Sequence, residues 1–373
     1  MIFITKAQLK TILSLNIMSL CTIENEKDLE CMEEVFNDYM ECGANILIAP
    51  TNFADSNDEK EDIIRRTKKA AEDKVFVAGE IRISDYDGNL NAFKENIKEE
   101  VKFLDESEVS MIFINGAKSL TAAKYAYLSA KEVYEKPIAL GLSFDYDGNL
   151  SDGATALSAL ITLQAMGVDA VGCVFDTDID VVTEIFTTMC DFTTVPLFAY
   201  LNADFLTPEI FADYIPNLVN YKCAMFGISK GALLSHYIEM SKVLWQFKPY
   251  MPDFEEIHAV CSKKDIVFLD FKGNVIGDNK NILEIKIEDE NTDLDKLLEI
   301  VNSENSGAIC FSVKDPDILD KLLFEYVGRP LIKSDEYGEI AAKEKGAFVY
   351  NFESPTETER INDYVRSSDS NIN

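Results

Sequence analysis

The chain is poor in the residues that most often build metal and redox sites. Only two histidines, His236 and His258, occur in 373 residues, which excludes a multi-histidine metal site. Eight cysteines lie at positions 21, 31, 42, 173, 190, 223, 261 and 310, and no two are three apart. The C-x-x-C spacing of zinc ribbons and thiol redox motifs is therefore absent. Basic residues are also scarce, 35 against 66 acidic ones, for a formal net charge of −31. That balance works against nucleic acid and against anionic membranes, both of which favour cationic proteins. No apolar run reaches the roughly 18 residues that a spanning helix needs. The N-terminal MIFITKAQLKTILSLNIMSL is interrupted by Lys6 and Lys10 and lacks the basic, apolar and small-residue order of a signal peptide. Free thiols in apolar contexts suit a reducing compartment, so a cytoplasmic protein without membrane or nucleic-acid partners is expected.

What is present is a regular alternation. Short apolar runs stand at 12–15, 46–49, 75–78, 111–114, 138–144, 170–175, 196–200 and 223–228. Helix-compatible stretches separate them, such as 28–43, where Leu29, Met32, Val35, Phe36 and Tyr39 recur at helical spacing before Gly43. The runs are continuously apolar, as strands buried on both faces are. Eight such units match the count of a (β/α)8 TIM barrel; a doubly wound open sheet is the alternative that pattern leaves open. The N-terminus reads as a short amphipathic helix leading into the first strand. The expected organisation is a barrel over residues 1–245, a linker over 246–257 with two prolines, a small C-terminal α/β domain over 258–353, and a flexible tail over 354–373. Within the small domain, strands are expected at 266–271, 282–287, 308–313, 330–333 and 347–352, and helices at 293–303 and 316–327.

Several segments carry more than generic barrel sequence. CGANILIAPTNFADS at 42–56, IALGLSFDYDGNLSDGATALSALITLQAMGVDAVGCVF at 138–175 and VPLFAYLNA at 195–203 resemble, in order and spacing, the homocysteine S-methyltransferase family. The likeness covers roughly residues 1–245. Fragments at 259–264 and 315–334 are similar to the pterin-binding module of cobalamin-dependent methionine synthases, without that module's opening motif or its length. The resemblance implies a barrel in which three cysteine thiolates hold zinc, and the metal deprotonates the substrate thiol at its open position for attack on a methyl donor. In this sequence the sixth-strand cysteine position holds Phe175, and the family's Gly-Gly-Cys-Cys falls on Phe226-Gly227-Ile228-Ser229. Phe175, Ile228 and Ser229 thus replace the family's metal ligands. The first-strand Asp-Gly element falls on Ser14-Leu15, and the second- and fourth-strand glutamates fall on Ala49 and Asn115. No zinc or other cofactor, no catalytic residue and no zinc-dependent methyl transfer are expected, so the resemblance implies a pseudoenzyme-like relative of a methionine-biosynthesis enzyme.

In a barrel the functional groups sit at the C-terminal ends of the strands. Those ends carry Thr51, Asn52, Glu80, Arg82, Asn115, Asp145, Asp176, Asn202, Asp204, Ser229 and Lys230. Their carboxylates could hold a hard cation or serve as an acid–base pair, although loops of so acidic a chain carry carboxylates by default. Thr51, Asn52, Asn115, Ser143, Asp145, Cys173 and Asn202 are the residues expected to line a substrate pocket for a small amino-acid or thiol ligand. A corrinoid or methionine-synthase-related protein is the alternative partner. GISKGALLSH at 227–236 does not meet the phosphate-loop pattern.

Overall fold

A computed structural model describes residues 5–83, 86–174, 177–250, 256–270, 275–276, 282–287, 292–303, 307–333, 336–349 and 365–367. The chain divides into two units, one of residues 1–150 and 168–254, the other of residues 151–167 and 255–373.

The first unit contains a closed barrel of eight parallel strands, as the alternating pattern predicts. In chain order they are β1 (Met18–Cys21), β2 (Ile46–Ile48), β3 (Phe76–Arg82), β4 (Met111–Ala117), β5 (Ile138–Leu142), β6 (Ala170–Val174), β7 (Leu197–Leu201) and β8 (Cys223–Ile228). The barrel closes where Leu20 of β1 pairs with Gly227 of β8. Between the strands run α2 (Met32–Glu41), α3 (Asn57–Ala71), α4 (Leu90–Glu106), α5 (Leu120–Lys131), α7 (Ile179–Met189) and α8 (Pro208–Asn220), and α9 (Leu234–Leu244) follows β8. Seven strands coincide with the expected apolar runs, β3 and β4 extending further than their apolar cores because polar residues occupy their C-terminal ends.

The first strand is the exception. The run at 12–15, expected as a strand, lies in α1 (Lys6–Leu15). A capping box starts this helix: the Gln8 N–H donates to the Thr5 hydroxyl at 3.2 Å, and the Thr5 N–H donates to the Gln8 side chain at 2.8 Å. Leu9, Ile12 and Leu13 then share a helical face, and Asn16, in extended conformation, ends the helix. Ser14-Leu15, assigned by resemblance to a first-strand motif, is therefore helical, and the residues that leave the first strand at its C-terminal end are Thr22 to Glu24.

The barrel interior is packed rather than hollow. Leu20, Ile48, Phe113, Val174 and Phe198 form one apolar cluster with Met18, Met111, Ala139 and Met225 from the strand starts. Leu9 and Leu13 of α1 belong to the same cluster, so the amphipathic helix covers the N-terminal ends of the strands. Two inward glycines make room for large neighbours. A Cβ at Gly172 would lie 2.2 Å from the Phe198 carbonyl oxygen, and one at Gly227 would lie 2.2 Å from the Tyr200 ring.

The second unit has two sheets. A three-stranded antiparallel sheet is ordered β11-β10-β9, with β9 (Ala259–Cys261), β10 (Ile266–Leu269) and β11 (Val275–Ile276). A five-stranded parallel sheet is ordered β15-β14-β13-β12-β16, with β12 (Ile282–Ile287), β13 (Ala308–Val313), β14 (Leu331–Lys333), β15 (Phe348–Val349) and β16 (Val365–Ser367). Its helices are α10 (Leu294–Val301), α11 (Pro316–Glu325) and α12 (Glu336–Lys345), which share an apolar core with β12, β13 and β14. β9, β11, β16 and α12 have no counterpart among the expected elements. The strand β16 falls within the segment read as a tail. Helix α6 (Ala156–Ala165) also belongs to this unit although it lies between β5 and β6 in sequence. There Thr162 Oγ1 stands 3.4 Å from Cys261 Sγ, and the Ser158 hydroxyl donates to the Ser262 carbonyl. Among the described residues, no helix is long and apolar enough to cross a membrane.

Because Leu13 is fully buried against the strand starts, Leu13→Ala removes core contacts that nothing else supplies. The expected cost is about 2–5 kcal/mol, read as a lower urea midpoint. An unchanged midpoint would mean that α1 is not part of the barrel core.

Candidate functional site

At the C-terminal end of the barrel the apolar interior gives way to a chain of charged and polar groups. Its centre is Glu80 on β3, whose side chain is inaccessible to solvent. A carboxylate in that position needs donors on both oxygens. Arg82 Nε lies 2.7 Å from Glu80 Oε2, and Asn115 Nδ2 on β4 donates to Glu80 Oε1 at 2.8 Å. The Arg82 guanidinium continues to Glu24, which follows β1, with Nη2 at 3.1 Å from Oε1. The Thr51 hydroxyl, in the turn after β2, donates to the Glu80 carbonyl at 3.4 Å. Four neighbouring strands thus contribute to one network.

The network has an unequal supply of donors and acceptors. Asn115 is wholly buried, and its Oδ1 has no hydrogen-bond partner. That oxygen is directed toward Gly141 of β5, where an added Cβ would come within 2.4 Å of it. A buried amide oxygen left unpaired is costly. Burial pushes the Glu24 carboxyl above its ordinary range, against the pull of Arg82. For Arg82, burial opposes the charge, but Glu80 and Glu24 outweigh it and hold the guanidinium above its ordinary value. Tyr200 of β7 lies within the field of Glu24, Glu80 and Arg82, and burial drives its phenol well up.

The residues expected to line a pocket divide. Thr51 and Asn115 join the network, and Ser143 is buried just beyond β5, its N–H donating to the Ala117 carbonyl at 2.9 Å. Asn52 is exposed. Asp145 is exposed, and its Oδ1 accepts from the N–H groups of Asp147 and Asn149 at 3.0 and 2.8 Å, so its carboxylate closes its own turn. Asn202 does the same for the Asp204 N–H at 2.8 Å. Cys173 sits between the inward Gly172 and Val174 and so faces away from the barrel interior. It is fully buried, and burial pushes its thiol well up. Ile228 likewise alternates outward from Gly227. Ser229 is buried, with its hydroxyl donating to the Leu201 carbonyl at 3.1 Å. Phe175 and Asp176 lie outside the described residues. Glu24, absent from the expected set, is central because the first strand ends at Cys21. Only the Glu-Asn sequence after a short apolar run could have signalled it.

The donor set decides whether zinc fits. Among the described residues, no three His, Cys, Asp or Glu side chains come together as a metal cage. The groups gathered at the strand ends are carboxylates, an amide, hydroxyls and a guanidinium, a combination that does not suit a metal preferring thiolate or imidazole. His236 has both ring nitrogens engaged, Nδ1 with the Leu233 N–H at 3.2 Å and Nε2 with the Leu206 carbonyl at 3.0 Å. Among the described residues, the groups gathered at the strand ends are thus not the three thiolates that the family resemblance implies.

Comparison with known proteins agrees with this architecture. A search of curated proteins found no match. Among solved structures, the apo form of the homocysteine methyltransferase MmuM from Escherichia coli is similar at 18% identity and a TM-score of 0.52, over 61% of this chain and 96% of that chain. The metallated form of the same enzyme gives 17% identity and a TM-score of 0.53, over 63% and 99%. At these identities the likeness shows the barrel fold. The model of the family described as homocysteine S-methyltransferase matches residues 5–227. That match spans more than half of the 373 residues, and the chain belongs to the homocysteine S-methyltransferase family.

Proposed function

We propose that this member of the family binds a small amino-acid-like ligand at the C-terminal end of its barrel and does not carry out zinc-thiolate methyl transfer. The observation that carries the reading is the buried, unpaired Asn115 Oδ1 beside the Glu24–Arg82–Glu80 network. An ammonium group matches that place: it donates to the amide oxygen and is attracted by Glu24. Methyl transfer to a free thiol would need a group that removes the thiol's proton, and the gathered residues offer carboxylates rather than the thiolates that would hold a metal for that task.

The test pairs two measurements on the full chain. Elemental analysis of protein purified without chelator from zinc-supplemented medium is expected to give zinc far below one per chain. Titration calorimetry with homocysteine and with methionine at millimolar concentration is expected to give heat that Asn115→Leu abolishes. One zinc per chain, lost on chelation, would restore the family's chemistry. Absence of heat with both amino acids would remove the ligand.

A second reading is carboxylate-based chemistry, for which the sequence pointed to Asp145 and Asp176. The observation that favours it lies elsewhere, in the raised Glu24 carboxyl beside the buried Glu80. A carboxyl whose value is raised on folding binds its proton more tightly in the folded state. Its contribution to stability is therefore greatest at low pH and is lost as pH climbs from the free-glutamate range of about 4.3 through the folded value. Glu24→Gln should flatten that limb of a plot of urea midpoint against pH. An identical slope in the variant would show that Glu24 is not the titrating group.

A further inference from the structure

The two loops that flank the end of β7 and β8 carry a second feature. Phe205 is fully exposed and holds φ at +65°, the left-handed region that a bulky residue rarely adopts. Strain of that kind persists where the surroundings impose it. The same two loops lead into α8 and α9, which pack on each other; Ile210 lies in the first turn of α8, Leu233 and Leu234 open α9, and Ile238 follows one turn later, and all four are exposed. These five are nearly half of the eleven exposed large hydrophobic residues among the described part of the chain, so the grouping is not the scatter that any surface shows.

The patch is held in shape rather than left loose. The buried His236 ring bridges the loops, accepting from the Leu233 N–H and contacting the Leu206 carbonyl at 3.0 Å. The Ala203 N–H donates to the Lys230 carbonyl at 2.9 Å. The loops approach so closely that a Cβ at Gly231 would lie 2.7 Å from the Asp204 nitrogen. A surface fixed in this way loses little freedom when it is covered.

Charge selects what can cover it. Asp204, Glu209 and Asp213 are exposed on the same loop and on α8, against the one exposed base Lys230 on the loop after β8, and the chain as a whole carries −31. A second copy would bring the same sign to the same rim, and nucleic acid or an anionic membrane would be repelled as well. We infer that this face, at the C-terminal end of the barrel beside Asn202 and Lys230, docks a cationic protein segment with an apolar face. The inference is independent of what the Asn115 site holds. A partner seated there would stand over the loops that border the candidate ligand site.

The experiment uses a fluorescent peptide of Leu and Lys at helical spacing, a matching peptide of Leu and Glu, and the full chain. Anisotropy titrations are expected to show binding of the basic peptide alone. The triple variant Phe205→Ser, Leu233→Ser, Ile238→Ser should weaken it by about tenfold or more, a loss of ~1.4 kcal/mol. Trp245→Ser, at the far end of α9, should leave it unchanged, and urea midpoints confirm that each variant is folded. Equal affinity in the triple variant would overturn the proposal, since the general negative surface would then suffice. So would absence of binding, equal binding of the acidic peptide, or sedimentation of the wild type as a dimer that the triple variant dissolves.

Discussion

The arrangement at the end of this barrel follows from one buried charge. Glu80 is buried where a mostly apolar interior ends, and a lone carboxylate there would cost several kcal/mol. Each neighbouring polar residue answers that constraint. Arg82, two positions along the same strand, neutralises one oxygen, and Asn115 on the adjacent strand donates to the other. Arg82, brought inward, then needs further negative charge, which Glu24 provides from beyond β1. The carboxylate orients the Asn115 amide, because a carboxylate accepts and only the amide nitrogen donates. The unpaired Oδ1 is the consequence. The orphan acceptor is thus produced by the same interaction that makes the charge tolerable.

This network also explains which parts of the site could be read from residues and which could not. The strand pattern was legible because parallel strands buried on both faces leave continuous apolar runs, and seven of eight lie where those runs are. The first was misplaced because Leu9, Ile12 and Leu13 are apolar at helical spacing, while the strand itself, Met18 to Cys21, is short and mixed in character. A shift of several residues at the first strand is enough to hide Glu24. Asp145 and Asn202 were legible as strand-end polar residues, but both close their own turns, a local choice that depends on backbone geometry rather than on residue type. Cys173 failed for a different reason. It stands at the correct end of its strand, yet the period of two in a strand turns it outward, and only the inward glycines on its own strand and on β5 and β8 reveal the phase.

The division into units shows a limit of linear reading. Residues 151–167 lie between β5 and β6 in sequence, where a barrel helix is expected, and α6 does form there. Its hydroxyls nevertheless bond Cys261 and Ser262, and Ile161 packs with Ala259, Cys261 and Ile266. Ser158 and Thr162 are one helical turn apart, so both present hydroxyls on one face, and that face finds its partners more than ninety residues later. Nothing in the amphipathic pattern of α6 distinguishes this role, because the helix is apolar on most of its circumference and buried along most of its length.

Family membership and the donor set at the barrel end constrain each other. A zinc ion with three thiolates carries a single net negative charge, and it keeps an open position for a substrate sulfur. Glu24, Glu80 and Arg82 bring two acidic groups and one basic group to the strand ends. The difference lies in what the charges are attached to. The metal offers an empty coordination site with high affinity for sulfur, whereas Arg82 is directed to two carboxylates and one unsatisfied group among the described residues there, Asn115 Oδ1, is an acceptor. An acceptor selects an N–H or O–H donor and has nothing to offer a thiolate. On the proposed reading, that difference favours recognition of the amino end of an amino acid over activation of its sulfur.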